Sequence, residues 1–453
     1  MDEFDVAVLG AGIAGISAAT RASELGAKVC LIEKDKLGGR CFNKGLYPYR
    51  RMMAQMANNG INMQLEAGNN REEILRLFED AQQFSRSIAG KWESTLKDRG
   101  VRIEFGEAVA SGPNEVRIVG PDEEKSIIAK KIIFALGSSI KPPPTIPFDG
   151  ERIISRDDIF KIGKVPASVL IVGGGSEGCE LASLYNRLGS KTFLCEEGPR
   201  LLANQDPDIT DSMEKDMKIR KVKVLLNKKI ISIFKDAETI DISLDGGVKF
   251  SVQTIVLASG RMARTRGLNA EQFGIRMGER QQILVDEKQE TTAKGIYAIG
   301  SVTGRKSFDG LSEEEGRVAA ENALGKNKSL NVDWIPQVIY TDPEIATVGC
   351  FARDAHHKGF RGIEGRCDLE CLDHSILSDE ESGFFKIVAD KSTKKVIGGQ
   401  IVCKHASEFI PLILLAIKKG LTVNSLARLS CGVSAQFQGI QQAAKACVRA
   451  MSV

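Results

Sequence analysis

At 453 residues the chain is too long for one hydrophobic core, and roughly two to four domains are expected. Hydrophobic residues make up 42% and charged residues 27%, ordinary for a globular protein, and a net charge of +3 gives no support to a nucleic-acid or polyanion partner. No apolar run is long enough to span a membrane, the start Met1-Asp2-Glu3 is not secretory in character, and ten cysteines without tight spacing are not a disulfide scaffold, so a reducing, cytoplasmic location is expected.

Asp5 to Leu9 is a short apolar run leading into Gly10-Ala11-Gly12-Ile13-Ala14-Gly15. An Ala-rich helical pattern runs to about Leu25, and a second strand, Lys28 to Ile32, ends at Glu33, which completes a βαβ unit. Arg50 to Asn58 and Glu72 to Asp98 read as helices with glycine stops at Gly60 and Gly100. Ile132 to Leu136 reads as a buried strand running into Gly137-Ser138-Ser139, and the Pro-rich stretch Lys141 to Pro147 as a linker. The opening pattern then recurs: strand Ser168 to Val172, the loop Gly173-Gly174-Gly175-Ser176-Glu177-Gly178, a helix to about Leu188, and a strand Lys191 to Cys195 ending at Glu196. From Trp334 the character changes to α+β, with a strand at Gln337 to Tyr340, antiparallel strands at Phe384 to Ala389 and Ile397 to Val402, and helices at Glu408 to Lys418 and Val423 to Arg428.

The repeated glycine loop points to dinucleotides. A pyrophosphate needs backbone N–H groups and a positive helix end at close range, and glycines permit the tight turn and the close approach. Gly10, Gly12 and Gly15 fit those roles in the first copy, with Glu33 placed to bind a ribose hydroxyl. Gly173, Gly175 and Gly178 fit them in the second, where Glu196 favours NAD over NADP because a 2′-phosphate would be repelled. Glu177 puts a carboxylate in the first turn, close to the expected pyrophosphate. Gly174 to Gly178 also spells a hydrolase nucleophile elbow, but none of His356, His357, His374 and His405 stands in a suitable context. Cys367, Cys371 and His374 have a spacing compatible with metal ligation, yet their strand context and the lack of a second pair argue against it, and no metal is expected.

Four further segments carry a resemblance: Leu37 to Pro48, with its Gly38-Gly39-Arg40-Cys41; Ala135-Leu136-Gly137-Ser138; Gly295 to Ser301; and Tyr340 to Gly349. In that order they are similar to the redox loop, the Ala-Thr-Gly-Ser turn, the second FAD segment and the start of the dimerisation domain of the pyridine nucleotide–disulfide oxidoreductases, the dihydrolipoamide dehydrogenase and glutathione reductase family. The resemblance covers nearly the whole chain. It implies an α/β fold with two Rossmann-like dinucleotide-binding domains, for FAD and NAD, plus a C-terminal α+β dimerisation domain. The implied boundaries are 1–148 for the FAD domain, 149–265 for the NAD domain, 266–333 for a segment completing the FAD domain and 334–453 for dimerisation. It also implies a homodimer through Trp334 to Val453, whose apolar helix Phe409 to Ile417 needs a partner surface. To the loop residues it adds a cofactor-binding set of Lys34, Gly39, Arg40, Cys41, Arg50, Ala108, Ala135, Gly137, Ser138, Gly260, Gly300, Ser301 and Phe308.

The departures from the family bear on the chemistry. Its redox disulfide joins two cysteines five positions apart; Cys41 matches the first, and Leu46 stands at the second, the one that touches the flavin. Its His–Glu dyad matches Val433 and Gln438 when the chain is aligned on Leu426-Ala427-Arg428, and neither takes a proton from a thiol. Arg50 stands where the family has a Lys near the flavin, and Glu180 matches the acid there. Ser301 replaces the Asp that binds the ribityl chain, keeping an acceptor without charge assistance. Catalytic candidates are therefore Cys41, Arg50 and Glu180. At a helix start the dipole would lower the Cys41 pKa; the residue either forms a mixed disulfide or persulfide alone or packs as a remnant. The leading reading is an FAD-dependent NAD(H) oxidoreductase that passes hydride through flavin to a small-molecule acceptor, as a diaphorase or like the soluble transhydrogenases, which resemble this family and also lack one redox-loop cysteine. The alternative is a non-catalytic member serving as structural or regulatory partner of a lipoyl-protein complex, favoured by Glu177, Leu136 and Ser301.

Overall fold

A computed structural model of the protein describes residues 1–58, 71–112, 114–162, 165–266, 268, 270–305, 308–378 and 382–452. The glycine stop expected at Gly60 lies outside the described residues. The chain divides into two compact units, the first comprising Met1–Val172, Arg187–Lys191 and Ile230–Leu330, the second Gly173–Asn186, Thr192–Lys229 and Asn331–Val453.

The first unit is built on a seven-stranded sheet in the order Arg102–Phe105, Val29–Glu33, Asp2–Leu9, Glu124–Phe134, Glu115–Val119, Glu107–Ala110, with Ile296–Ala298 also pairing with Glu124–Phe134. Val6 to Leu9 are fully buried, the mark of a parallel strand covered on both faces. Helix Ile13–Glu24 packs on helix Asp309–Ala323 because both present small residues; a Cβ on Gly316 would lie 2.3 Å from the Ala14 oxygen. The expected strand at Ile132 in fact begins at Glu124 and ends at Phe134. Its first half pairs antiparallel with Glu115–Val119 and puts Lys and Glu side chains outward, which hides the strand from an apolar-run criterion. The helix expected from Arg50 starts at Leu46, and Pro48 is tolerated there because first-turn N–H groups have no intrahelical acceptor. Residues 141–147 form neither helix nor strand. Strands Ile230–Lys235, Ile240–Leu244 and Lys249–Val252 form an antiparallel sheet, and Ser168–Val172, Thr254–Leu257 and Ile153–Ser155 a parallel one.

In the second unit, Lys191–Cys195 pairs parallel with Lys223–Leu225 through Phe193 to Cys195. An antiparallel sheet runs in the order Gln337–Ile339, Glu344–Gly349, Val396–Cys403, Phe384–Asp390, Gly362–Asp368. Its two inner strands are buried along their whole length. Helices Ala406–Lys418 and Gln438–Met451 pack against it. The apolar helix predicted to need a partner surface therefore finds much of it on its own sheet, through Ala406, Ile410, Ile413 and Ala416, while Leu415 remains 50% exposed.

Candidate functional site

The first phosphate loop turns at Gly10, whose φ of +106° and whose N–H, donated to the Ile32 carbonyl at 2.8 Å, aim the chain into the helix. A Cβ on Gly15 would lie 1.9 Å from the Gly10 oxygen, so helix and strand close on each other only with glycine there. A Cβ on Gly12, by contrast, meets nothing within 4 Å. That opening lies at the N-terminus of a 12-residue helix with no acidic residue in its first turn, where backbone N–H groups lack intrahelical acceptors. The space and the donors fit a pyrophosphate. Glu33 is buried, and its carboxylate accepts the Ala11 N–H at 2.8 Å and the Asp35 N–H at 2.9 Å, which fixes its orientation at the end of the strand.

Gly38 and Gly39, both with positive φ, bring the next segment against this loop: the Gly38 N–H donates to the Ala11 carbonyl at 2.8 Å. The short helix Gly39–Asn43 follows and carries Cys41, 9% exposed. Leu46, at the position of a second thiol, packs into the same apolar cluster as Cys41 and Phe42. The helix does not activate the thiol as expected. Burial pushes the Cys41 pKa well above its ordinary value, and the charge and hydrogen bond of Asp309 push it further, against the opposing pull of Arg40 and Arg156. A five-residue helix has too little dipole to offset desolvation. Arg40 donates to Asp157 at 2.6 Å, and Arg261 donates to the same carboxylate at 3.1 Å and to the Ser138 hydroxyl at 2.9 Å. Burial alone would raise Asp157, but the two guanidinium groups hold it down to about 2. Ser138 is thus tied to Arg40 through Asp157 and Arg261.

The turn Gly300–Thr303 contains Ser301, and the Gly300 N–H donates to Glu315 at 2.6 Å. Glu315 is 1% exposed; burial raises its carboxyl to about 7 despite the Gly300 N–H and Arg305. Phe308 is the N-cap of the helix that starts at Asp309. Ala135 donates its N–H to the Leu9 carbonyl at 2.8 Å, beside the first loop, and Gly137 adopts a φ of +74°. Lys34 is exposed, 3.8 Å from Glu107, with Ala108 on the neighbouring strand; Gly260, at φ +114°, accepts from the Lys141 N–H at 3.2 Å. Arg50 is exposed on helix Leu46–Asn58.

The second unit holds the other loop. A Cβ on Gly178 would lie 1.8 Å from the Gly173 oxygen, and one on Gly175 meets nothing within 4 Å. Glu196 accepts the Gly174 N–H at 2.6 Å and the Gly198 N–H at 2.7 Å. Glu177 lies in the first turn of helix Ser176–Arg187. Glu180 is buried and accepts the Tyr340 N–H at 3.0 Å. Val433 is 87% exposed, and the Gln438 amide donates to the Gly432 carbonyl at 3.3 Å.

Sequence reasoning missed Asp309, Glu315 and Asp157. Each acts on a site residue far away in the chain, and only an acid at the first position of a helix, as Asp309 is, has a local signature. Among the described residues no three His, Cys, Asp or Glu side chains form a group that could hold a metal, and no helix is long and apolar enough to cross a membrane.

Residues 4–324 match the profile of the pyridine nucleotide-disulphide oxidoreductases, and residues 335–438 that of the family's dimerisation domain. The chain is 30% identical to the dihydrolipoyl dehydrogenase of Geobacillus stearothermophilus over 94% of its own length and 92% of that protein's. It is 28% identical to the mercuric reductase of Bacillus cereus, over 97% of this chain and 71% of that one. The crystal structure of LpdA from Mycobacterium tuberculosis superposes with a TM-score of 0.90 at 24% identity, covering 98% of this chain and 99% of that one, which shows a shared fold.

Proposed function

Because the chain belongs to the pyridine nucleotide–disulphide oxidoreductase family, whose members are FAD-dependent and use nicotinamide dinucleotides, we propose that it is an NADH-dependent flavin oxidoreductase that works without a redox disulfide. The observation that carries this reading is Leu46: the position that would hold the second thiol is filled by an alkyl group packed with Cys41 and Phe42. A reducing, cytoplasmic location, expected from ten cysteines without the spacing of a disulfide scaffold, belongs to the same proposal. The four-segment division of the chain, at 148, 265 and 333, and a homodimer through the C-terminal segment belong to the same proposal.

A bound FAD would supply the two-electron chemistry that links NADH oxidation to reduction of a small acceptor such as a quinone, a dye or oxygen. The residues of the first unit have binding work to do. Gly12 leaves room for the pyrophosphate, the helix N-terminus donates to it, and Glu33 accepts from a ribose hydroxyl. Ser301 would accept from the ribityl chain, and Ala135, Gly137 and Ser138 would line the cofactor site. In the second unit Gly175 and Glu196 do the same for the nicotinamide dinucleotide, and Glu196 repels a 2′-phosphate. Val433 and Gln438 supply no base for a thiol substrate, so dihydrolipoamide is a poor reductant.

Stopped-flow mixing with NADH tests this. The expected result is direct bleaching of the flavin with no long-wavelength thiolate–flavin band, and much slower reduction by dihydrolipoamide. A strong long-wavelength band would overturn the disulfide-free reading. A non-catalytic role as partner of a lipoyl-protein complex is favoured by the Glu177 carboxylate at the second loop, together with Leu136 and Ser301. Absence of bleaching by NADH would select it.

A further inference from the structure

We propose that Asp157 is a positioning residue: by holding Arg40 and Arg261 at once, it fastens the segment that carries Cys41 beside the first phosphate loop and slows the release of FAD, a consequence that rests on the flavin reading above. The segment needs an outside tether. A Cβ on Gly39 would lie 3.0 Å from the Gly12 Cα, so the backbone passes close to the opening of the loop. The helix Gly39–Asn43 that follows has five residues, too few to be stable by itself. The Asn43 amide ties it only locally, donating to the Leu37 carbonyl at 2.9 Å and the Gly39 carbonyl at 2.8 Å. Arg40 supplies a long-range tie, its Nε donating to Asp157 Oδ1 at 2.6 Å.

The carboxylate is presented by the turn after strand Ile153–Ser155. There Asp158 accepts the Ser155 N–H at 3.1 Å and its hydroxyl at 2.6 Å, and the Asp157 N–H donates to the Ser155 hydroxyl oxygen at 3.2 Å. The other oxygen of Asp157, Oδ2, accepts from Arg261 at 3.1 Å. Arg261 also donates to the Ser138 hydroxyl at 2.9 Å and to the Ser138 carbonyl at 3.0 Å. Strand Arg261–Ala263 pairs antiparallel with Ser138–Ile140, so this end of the clasp is fixed by backbone. The other end is the short helix, which Asp157 therefore holds against a firm wall. The Asp157 side chain is 19% exposed and that of Arg261 17%, so salt screens the contact less than it would at the surface. Both ties are charge-assisted, and one carboxylate separates two guanidinium groups. An Asn at this position keeps the shape, loses the charge and turns an N–H donor toward one of them. The two like charges then face each other without the anion between them, and the clasp opens.

Peptide-resolved hydrogen exchange of the purified protein tests the fastening. Residues 38–44 should exchange about tenfold faster in Asp157→Asn, as expected for loss of hydrogen bonds to a charged group. Arg261→Gln should also quicken them, although the hydrogen bonds of Arg261 described above go to Asp157 and Ser138. Asp157→Glu should restore most of the parental rate. Strand residues Val6 to Leu9, which report the global fold, should not change. Unchanged exchange of residues 38–44 in Asp157→Asn would overturn the proposal, and so would an equal rise in Val6 to Leu9. In flavin-loaded protein, FAD release followed by fluorescence should be about tenfold faster in Asp157→Asn. Adding Asp157→Asn to Arg40→Gln should add little, because the two act through one contact. A variant that loosens the segment yet releases FAD at the parental rate would also overturn the proposal. A parent chain that takes up no FAD would overturn the flavin reading and with it the slowed release, while the exchange measurement still reads the fastening without flavin.

Discussion

A Cβ on Gly15 of the first loop would lie 1.9 Å from the Gly10 oxygen, and one on Gly178 of the second would lie 1.8 Å from the Gly173 oxygen. Glu33 is the last residue of the following strand and Glu196 comes directly after its counterpart, Lys191–Cys195, and each accepts two backbone N–H groups, one from the loop and one from the turn beyond. The backbone solution is the same in both copies because a strand can pass into a tightly packed helix over a phosphate in few ways. The differences lie in side chains. The residue whose N–H meets the acid is Ala11 in the first loop but Gly174 in the second, where a Cβ would stand 2.7 Å from Leu201. The first turn of the helix has no acid in the first copy and Glu177 in the second. One loop is thus electrostatically open to an anion, and the other carries a charge that opposes one.

The largest effects should come from filling the shared close approach. Gly15→Ala and Gly178→Ala each force backbone apart, at a cost of about 3 kcal/mol or more in local stability. Flavin-to-protein ratios should separate them: Gly15→Ala should purify without flavin, and Gly178→Ala with flavin that NADH no longer reduces. Loss of flavin in both would break the assignment of one cofactor to each loop.

A pH experiment probes a neighbour of the first loop, the buried Glu315 that holds the Gly300 N–H. Its carboxyl is raised by burial from 4.5 to about 7, so between these values the folded protein keeps a proton that the unfolded chain has released. Stability from this group is greatest below the unfolded pKa and is lost as pH rises through the folded one. Glu315→Gln should abolish that slope and gain roughly 1 to 3 kcal/mol over the parent above pH 7. Urea unfolding of both proteins at pH 5 and pH 8 measures it; equal slopes would mean Glu315 is ionised in the fold.

Glu196→Gln keeps an acceptor for Gly174 while removing the charge. The preference for NADH over NADPH, read from flavin reduction rates, should fall by about tenfold, the equivalent of ~1.4 kcal/mol. An unchanged ratio would show that the repulsion comes from elsewhere. The smallest effect belongs to Glu177→Ser, which should tighten NADH binding by ~0.3–1 kcal/mol at low salt and less at high salt. Titration calorimetry at two ionic strengths reads it, and weaker binding in the variant would reverse the sign of the comparison drawn above.

Much of this arrangement is written locally. Ser168–Val172 and Lys191–Cys195 are strands over the residues their apolar runs predict, and helix Arg71–Asp98 begins one residue before the predicted Glu72. Glu124–Phe134 was predicted only in its last residues because half of it alternates charged and apolar side chains against an antiparallel neighbour. Cys41 shows the same limit at the site. Its helical position is evident from Gly38-Gly39-Arg40, and from that position alone a lowered pKa follows; the raised one comes from burial and from Asp309, far along the chain.

Glycine spacing, the acids after the second strand of each unit and the absent second thiol are properties of residues and their near neighbours, and the sequence by itself determined them: two glycine loops each followed by an acid, Glu33 or Glu196, and a redox loop with one sulfur. The tertiary structure decided what surrounds those residues. It set Asp309 against Cys41, joined Arg40 to Ser138 through Asp157 and Arg261, and buried Glu315 under Gly300. Desolvation and charge–charge energies depend on distances through space, and a linear pattern carries no record of which distant side chains will share one low-dielectric pocket.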